Sequence, residues 1–222
     1  MIRLHSLRTL IVLGLMALTT TIAHADEIYS NFGPGNTNTN NSGWGIVGAP
    51  AISYEQAIAG AFTPTQNFTL TSFDISAWHA AGTNSYLFSI VADNGGLPTG
   101  AVLVSPFSGA INGTFVTPAI SSFAATGSLL AGQKYWLVMA PGAEDAVGLW
   151  NWNTIGAMGN AYSHQGGPWF NDPQVAPRFR INGTPVSVTT NLTPEVPAGV
   201  QAIPVLLAVG GMALYQRKKK SA

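Results

Sequence analysis

The chain contains no cysteine. That absence excludes a disulfide framework, thiolate metal sites and a cysteine nucleophile, so stability has to come from burial alone. Charge is scarce as well: nine Lys and Arg and nine Asp and Glu in 222 residues, with a formal balance of zero that hides their placement. Between positions 26 and 192 stand three bases, Lys134, Arg178 and Arg180. Against them stand eight acids, Asp26, Glu27, Glu55, Asp74, Asp93, Glu144, Asp145 and Asp172, a formal charge of −5. A stretch so poor in cations lacks the electrostatic footprint that phosphate backbones require, and nucleic-acid binding is disfavoured.

Two further absences narrow the class. No segment of this stretch sustains helical periodicity, and no fixed-period repeat runs through it. No nucleophile, zinc or phosphate motif surrounds His79 or His164. Asp74 and His79 lie five apart on a predicted strand, hence on opposite faces. No catalytic residue, metal site or cofactor is nominated, and the chain is expected not to be an enzyme.

What is present lies first at the two ends. Arg3 and Arg8 precede an apolar run over residues 10–18, and Ala23-His24-Ala25 supplies the small-x-small pattern of a signal-peptidase site. The run is shorter than the roughly 18 residues of a spanning helix, so residues 1–25 are expected to be a cleaved signal peptide, with Asp26 the first mature residue. At the other end, residues 187–195 form a polar linker and residues 196–216 are almost wholly apolar. Arg217, Lys218, Lys219 and Lys220 follow within a basic tail over residues 217–222. At about 1.5 Å per residue such a helix can just cross a hydrocarbon core of roughly 30 Å, leaving the basic cluster on the cytoplasmic side. A lipid-anchor signal normally ends with its hydrophobic segment, whereas here a basic cluster comes after it.

Between the ends, residues 26–186 read as one domain of short apolar alternations separated by Gly, Pro, Asn, Ser and Thr. The expected fold is all-β, an antiparallel, jelly-roll-like β-sandwich. In "YLFSIVA" both faces are apolar, as in a central strand. In "NFTLTSFDISAW" the inward set changes phase at Thr71-Ser72, from Phe68 and Leu70 to Phe73, Ile75 and Ala77, which predicts a bulge. "DNGGLPTG" predicts a hairpin turn before "AVLVSPF". "KYWLVMAP", "AVGLWNWN" and "PRFRING" predict further strands, the last with Phe179 and Ile181 inward and Arg178, Arg180 and Asn182 outward. "NFGPGNTNTNNSGWGIVG" reads as a Gly/Asn-rich loop anchored by Phe32, Trp44 and Ile46.

Pro194, Glu195 and Pro197 before the apolar segment, with the basic terminus after it, resemble the PEP-CTERM sorting signal of Gram-negative bacteria; here Val196 stands between the glutamate and the second proline. The resemblance implies recognition and processing by a membrane exosortase. The middle of the chain is similar to the choice-of-anchor extracellular domains, of the R type. The residues that carry it are "NFGPGN", Gly43-Trp44, "GTNSYLFSIVADNGGLPTG", "LLAGQKYWLVMAP", "LWNWN", "GGPW" and "FRINGTPV". That family is named for surface anchoring, and the resemblance implies a destination rather than a ligand.

Three tryptophans are candidate ligand contacts. Trp150 and Trp152, two apart on a strand, would share a face as an aromatic platform, although inward packing is the favoured alternative. Trp169 follows Gly166-Gly167-Pro168, where a loop would present it or plug the end of the sandwich. Asp93 and Asn94 have the oxygens a calcium ion wants, but a turn explains the same residues better. The expected function is an exported, non-catalytic surface or extracellular-matrix protein, with signal peptidase, an exosortase-like enzyme and the membrane as partners. A carbohydrate-binding surface module contacting extracellular polysaccharide is the alternative, and an extracellular hydrolase the third.

Overall fold

The computed structural model describes residues 25–36, 42–49, 55–115 and 117–186. Ala23 of the expected cleavage motif, the rest of the expected signal peptide other than Ala25, Pro194, Glu195, Pro197, the apolar segment and the basic cluster Arg217, Lys218, Lys219 and Lys220 lie outside the described residues. Ala25 is exposed and Asp26 opens the first strand. The described residues belong to one compact unit that ends at Val186.

Twelve strands make up nearly all of its regular structure: β1 (Asp26–Ser30), β2 (Gly43–Val47), β3 (Gln56–Phe62), β4 (Phe68–Ala81), β5 (Tyr86–Ala92), β6 (Val102–Gly109), β7 (Ala119–Leu129), β8 (Tyr135–Pro141), β9 (Val147–Asn151), β10 (Met158–His164), β11 (Trp169–Val175) and β12 (Phe179–Pro185). All named pairings are antiparallel, in the order β1-β12-β4-β9-β2-β3-β8-β5-β6, with β7 added to β4, and β10 then β11 added to β3. The fourteen-residue β4 organises this sheet. Along one edge it pairs with β7, and along the other with β12 over Phe68–Ile75 and then with β9 from Ala77.

The sheet curls back on itself. β4 and β5 are not neighbours in the order of strands, yet the Phe73 ring lies 5.7 Å from Phe88 and 6.2 Å from Phe107 as well as 5.3 Å from its cross-strand partner Phe123. Alternation supplies the inward set: Tyr86, Phe88 and Ile90 from β5, Tyr135, Leu137 and Met139 from β8, and Phe179 and Ile181 from β12. The β4 phase change is present. Against β12, Ser72 pairs with Asn182 and Leu70 with Gly183, so Thr71 is the extra residue. Phe68, Leu70, Phe73, Ile75 and Ala77 all reach the same core.

The second face of β5 is apolar too, as its sequence predicts: Val91 joins Ala59, Trp136, Val138 and Ala161 in a smaller cluster on the outside of the sheet. The β5–β6 hairpin closes through Asn94 and Leu97, which exchange both backbone hydrogen bonds around Gly95 (φ 62°) and Gly96 (φ 87°). Positive φ at both central positions is the requirement that selects glycine there. Gly60 is selected by space instead. A Cβ there would stand 2.5 Å from Phe179 Cε1 and 2.9 Å from Pro177 Cγ, so β12 packs where no side chain intervenes.

Three expectations are corrected. Arg178 is fully buried rather than outward, because it precedes β12 at the point where β12 and β9 meet beside β4; its carbonyl accepts from Ser76 N and from the Trp150 indole. Burial lowers its guanidinium pKa below the ordinary value. The Gly/Asn-rich segment is not all loop, since Gly43–Val47 is β2, paired along β9. Trp169 opens β11 rather than sitting in a loop.

Candidate functional site

The proposed Trp150–Trp152 platform is not formed. Trp150 is fully buried in the main core, where its indole N–H donates to Arg178 O at 2.9 Å, leaving no surface for a ligand. Trp152 stands beyond the end of β9, bridged to Pro177, and its ring meets Trp44 edge-on at 6.0 Å. Trp44 in turn donates to Val175 O at 2.9 Å. Asparagines fasten the same end of the domain. Asn31 caps β12 by donating to Pro177 O at 2.8 Å and accepting from Phe179 N at 2.7 Å. Asn153 donates to Ala157 O and Ala176 O, and accepts from Ile155 N and Ala157 N. These residues order the loops, a role that buried polar groups with complete hydrogen bonding commonly have.

The acidic groups are likewise engaged. Asp93 Oδ1 accepts from the Trp136 indole at 2.7 Å and pairs with Lys134 at 3.3 Å, while Oδ2 accepts from Gly96 N at 3.0 Å. Burial opposes ionisation of Asp93, but these three donors together hold its carboxyl below the ordinary range. Oδ2 serves the turn, in accord with the turn reading of Asp93 and Asn94, and Oδ1 ties the turn to the start of β8. Asp74 binds Arg180 Nε at 2.8 Å and Asn182 at 3.2 Å. His79, on the opposite face of β4, lies 2.8 Å from the Tyr86 hydroxyl and 3.0 Å from Gly82 O. Burial pushes the Tyr86 phenol well above its ordinary pKa. Glu144 and Asp145 are exposed, and hydrogen bonds from Thr83 hold Asp145 below the usual carboxylate range. Glu144 also borders a shallow depression of about 270 Å³ with Glu55, Gly48 and Gly142. Among the described residues no three His, Asp or Glu side chains gather to hold a metal.

One face brings aromatic and polar side chains together at the β10–β11 hairpin. In β10, Asn160, Tyr162 and His164 alternate onto one side; pairing of Asn160 with Asp172 and of Tyr162 with Phe170 puts the β11 residues on that side too. The Tyr162 and Phe170 rings are stacked at 5.5 Å and 28°, and the His164 ring lies 5.1 Å from Tyr162. Tyr162 rests against the main core, while Phe170 is 48% exposed and Asp172 half-buried. Asn160 is fully buried, and neither its amide nitrogen nor its oxygen meets a protein partner. Trp169 points to the other side of the same ribbon, onto the outer cluster, and so does not join Tyr162 and Phe170. Among the described residues β11 pairs only with β10, so there the ribbon lies at an edge of the sheet, and Pro173 removes a donor from it.

Sequence reading selected tryptophans and passed over this face. The period-two placement of Tyr162 and His164, and Phe170 just after "GGPW", was its only signal, and the pairing register was needed to join them.

No protein-family model and no curated protein matches the chain. Among solved structures, part of it is similar to the cysteine protease and lectin-like domains of Cwp84, a surface layer associated protein of Clostridium difficile. The identity is 12% and the TM-score 0.39, over 59% of this chain and 32% of that one. Part is similar to CsCBM6-3 from Clostridium stercorarium, solved in complex with cellobiose, at 15% identity and a TM-score of 0.29, over 41% of this chain and 61% of that one. The chain thus spans less than two thirds of either, and at these scores neither likeness bears on what it binds.

Proposed function

We propose that the chain is an exported, non-catalytic surface or matrix component. In this reading a jelly-roll-like sandwich of the choice-of-anchor kind is delivered by a cleaved signal peptide and sorted by a PEP-CTERM-like tail. The observation that carries the reading is the order of features in the chain. An Arg-flanked apolar leader ending at Ala23-His24-Ala25 comes first, then one compact β unit, then Pro194-Glu195, an apolar segment and four consecutive bases. Each part has a physical task. The leader engages the export machinery, the apolar segment partitions into the bilayer, and the bases resist translocation. Signal peptidase would act before Asp26, and an exosortase-like enzyme at the tail.

With no cysteine, the domain is indifferent to an oxidising compartment. The test is to follow the protein by fractionation of its native cells after changing the tail. Glu195→Ala with Pro194→Ala is expected to trap the chain in the inner membrane, and replacing the four bases with serine to disturb its retention there before processing. Unchanged distribution of both variants contradicts sorting by the tail.

A further inference from the structure

We propose that the β10–β11 face, built from Tyr162, Phe170, His164 and Asp172, binds a neutral polysaccharide. The inference goes beyond the surface reading and is independent of how the chain is sorted.

Three observations lead there. The first is shape. Phe170 and Tyr162 stack at 28° across the hairpin and His164 lies beside Tyr162 along β10, so the half-exposed Phe170 ring is presented to solvent on a rigid aromatic backing. A pyranose ring presents a C–H face that packs on such a surface, while its hydroxyls point outward around the rim and need polar partners. The second is the polar complement. Asp172, cross-strand from Asn160, supplies a carboxylate on the same face. Behind it, the fully buried Asn160 amide has a donor and an acceptor unmatched by protein, which a bridging water can link to a ligand at the surface.

The third is charge. The three bases of residues 26–186 are all occupied: Lys134 pairs with Asp93, Arg180 with Asp74 and Glu27, and Arg178 is buried. The domain is therefore acidic without a cation to offer, and Asp172 on the face itself repels carboxylate or sulfate groups. This disfavours uronic-acid and sulfated chains and favours a neutral hexose chain. A protein partner would call for a larger apolar patch than one half-exposed phenylalanine beside a carboxylate.

The experiment uses the full chain, purified in a detergent without a sugar headgroup, and calorimetric titration with soluble β-linked and α-linked glucose oligomers and with polygalacturonate. Binding of at least one neutral oligomer, and none of polygalacturonate, is expected. Phe170→Ala should weaken that binding about tenfold or more and Phe170→Trp should restore it, since what the ligand needs is the ring face. Phe115→Ala, on an exposed ring in the loop before β7, should leave it unchanged. Because Phe170 is exposed on an edge strand, its removal leaves the core intact, and an unaltered melting temperature checks this. Absence of binding to every neutral oligomer, preference for polygalacturonate, or wild-type affinity in Phe170→Ala overturns the proposal, and none of these outcomes touches the sorting of the chain.

Discussion

Replacing Phe73 by alanine tests the closure of the curled sheet. Phe73 is fully buried among three other phenylalanines, 5.3 Å from Phe123, 5.7 Å from Phe88 and 6.2 Å from Phe107. Truncating a buried phenylalanine costs about 3–5 kcal/mol through lost transfer free energy and the residual cavity. For a domain of this size, 1 kcal/mol shifts the melting temperature by about 2–4 °C. The expected fall is therefore about 6–20 °C, read by calorimetry or near-ultraviolet circular dichroism. Leu130→Ala, at a side chain that is 56% exposed, is the control and should stay within about 0.5 kcal/mol of wild type. A double-mutant cycle sharpens the result. Phe73 and Phe88 sit on strands that are not hydrogen-bonded neighbours, so a coupling of about 0.5–1.5 kcal/mol between them reports the curl itself. A shift for Phe73→Ala no larger than that of the control, or a Phe73–Phe88 coupling of zero, refutes the packing described.

Other outcomes follow from individual contacts. Gly60→Ala should destabilise the domain by about 1–3 kcal/mol in urea titration, because the added methyl meets the Phe179 ring and Pro177. Trp150→Phe should cost about 1–3 kcal/mol by removing the donor to Arg178 O, yet leave glycan titrations unchanged, which separates it from a ligand contact. Asp93 has a pKa held below its unfolded value, so its contribution is present above about pH 4 and is lost as the pH falls through the lower folded value. The stability gap between wild type and Asp93→Asn should accordingly narrow from pH 7 toward pH 3 in thermal melts, and a gap that widens on acidification contradicts that sign.

Much of the architecture was legible because alternation is a local signal. "FTLTSFDISA" shows its bulge as a change of phase, and "NGGL" shows its turn through two positive-φ glycines. Strands of small residues were not legible. β3 reads "QAIAGAF" and β10 "MGNAYSH", where alanine and glycine blur the contrast between faces and packing against neighbours decides. Arg178 illustrates the limit on the polar side. Alternation alone puts it outward, and only the meeting of β9, β12 and β4 encloses it. The aromatic face was missed for a related reason. Tyr162 and Phe170 are eight residues apart, and what makes them a surface is the register of the hairpin, which the Gly166-Gly167-Pro168 turn signal does not fix by itself.

The reading of the chain as an exported, tail-sorted surface component is tested most directly by the intact mass of the protein recovered from fractionated native cells. The account predicts a species that begins at Asp26, lacks the basic tail and is found in outer or extracellular fractions. A species that keeps residues 1–25, or one that retains Arg217 to Lys220 and stays wholly in the inner membrane, contradicts it.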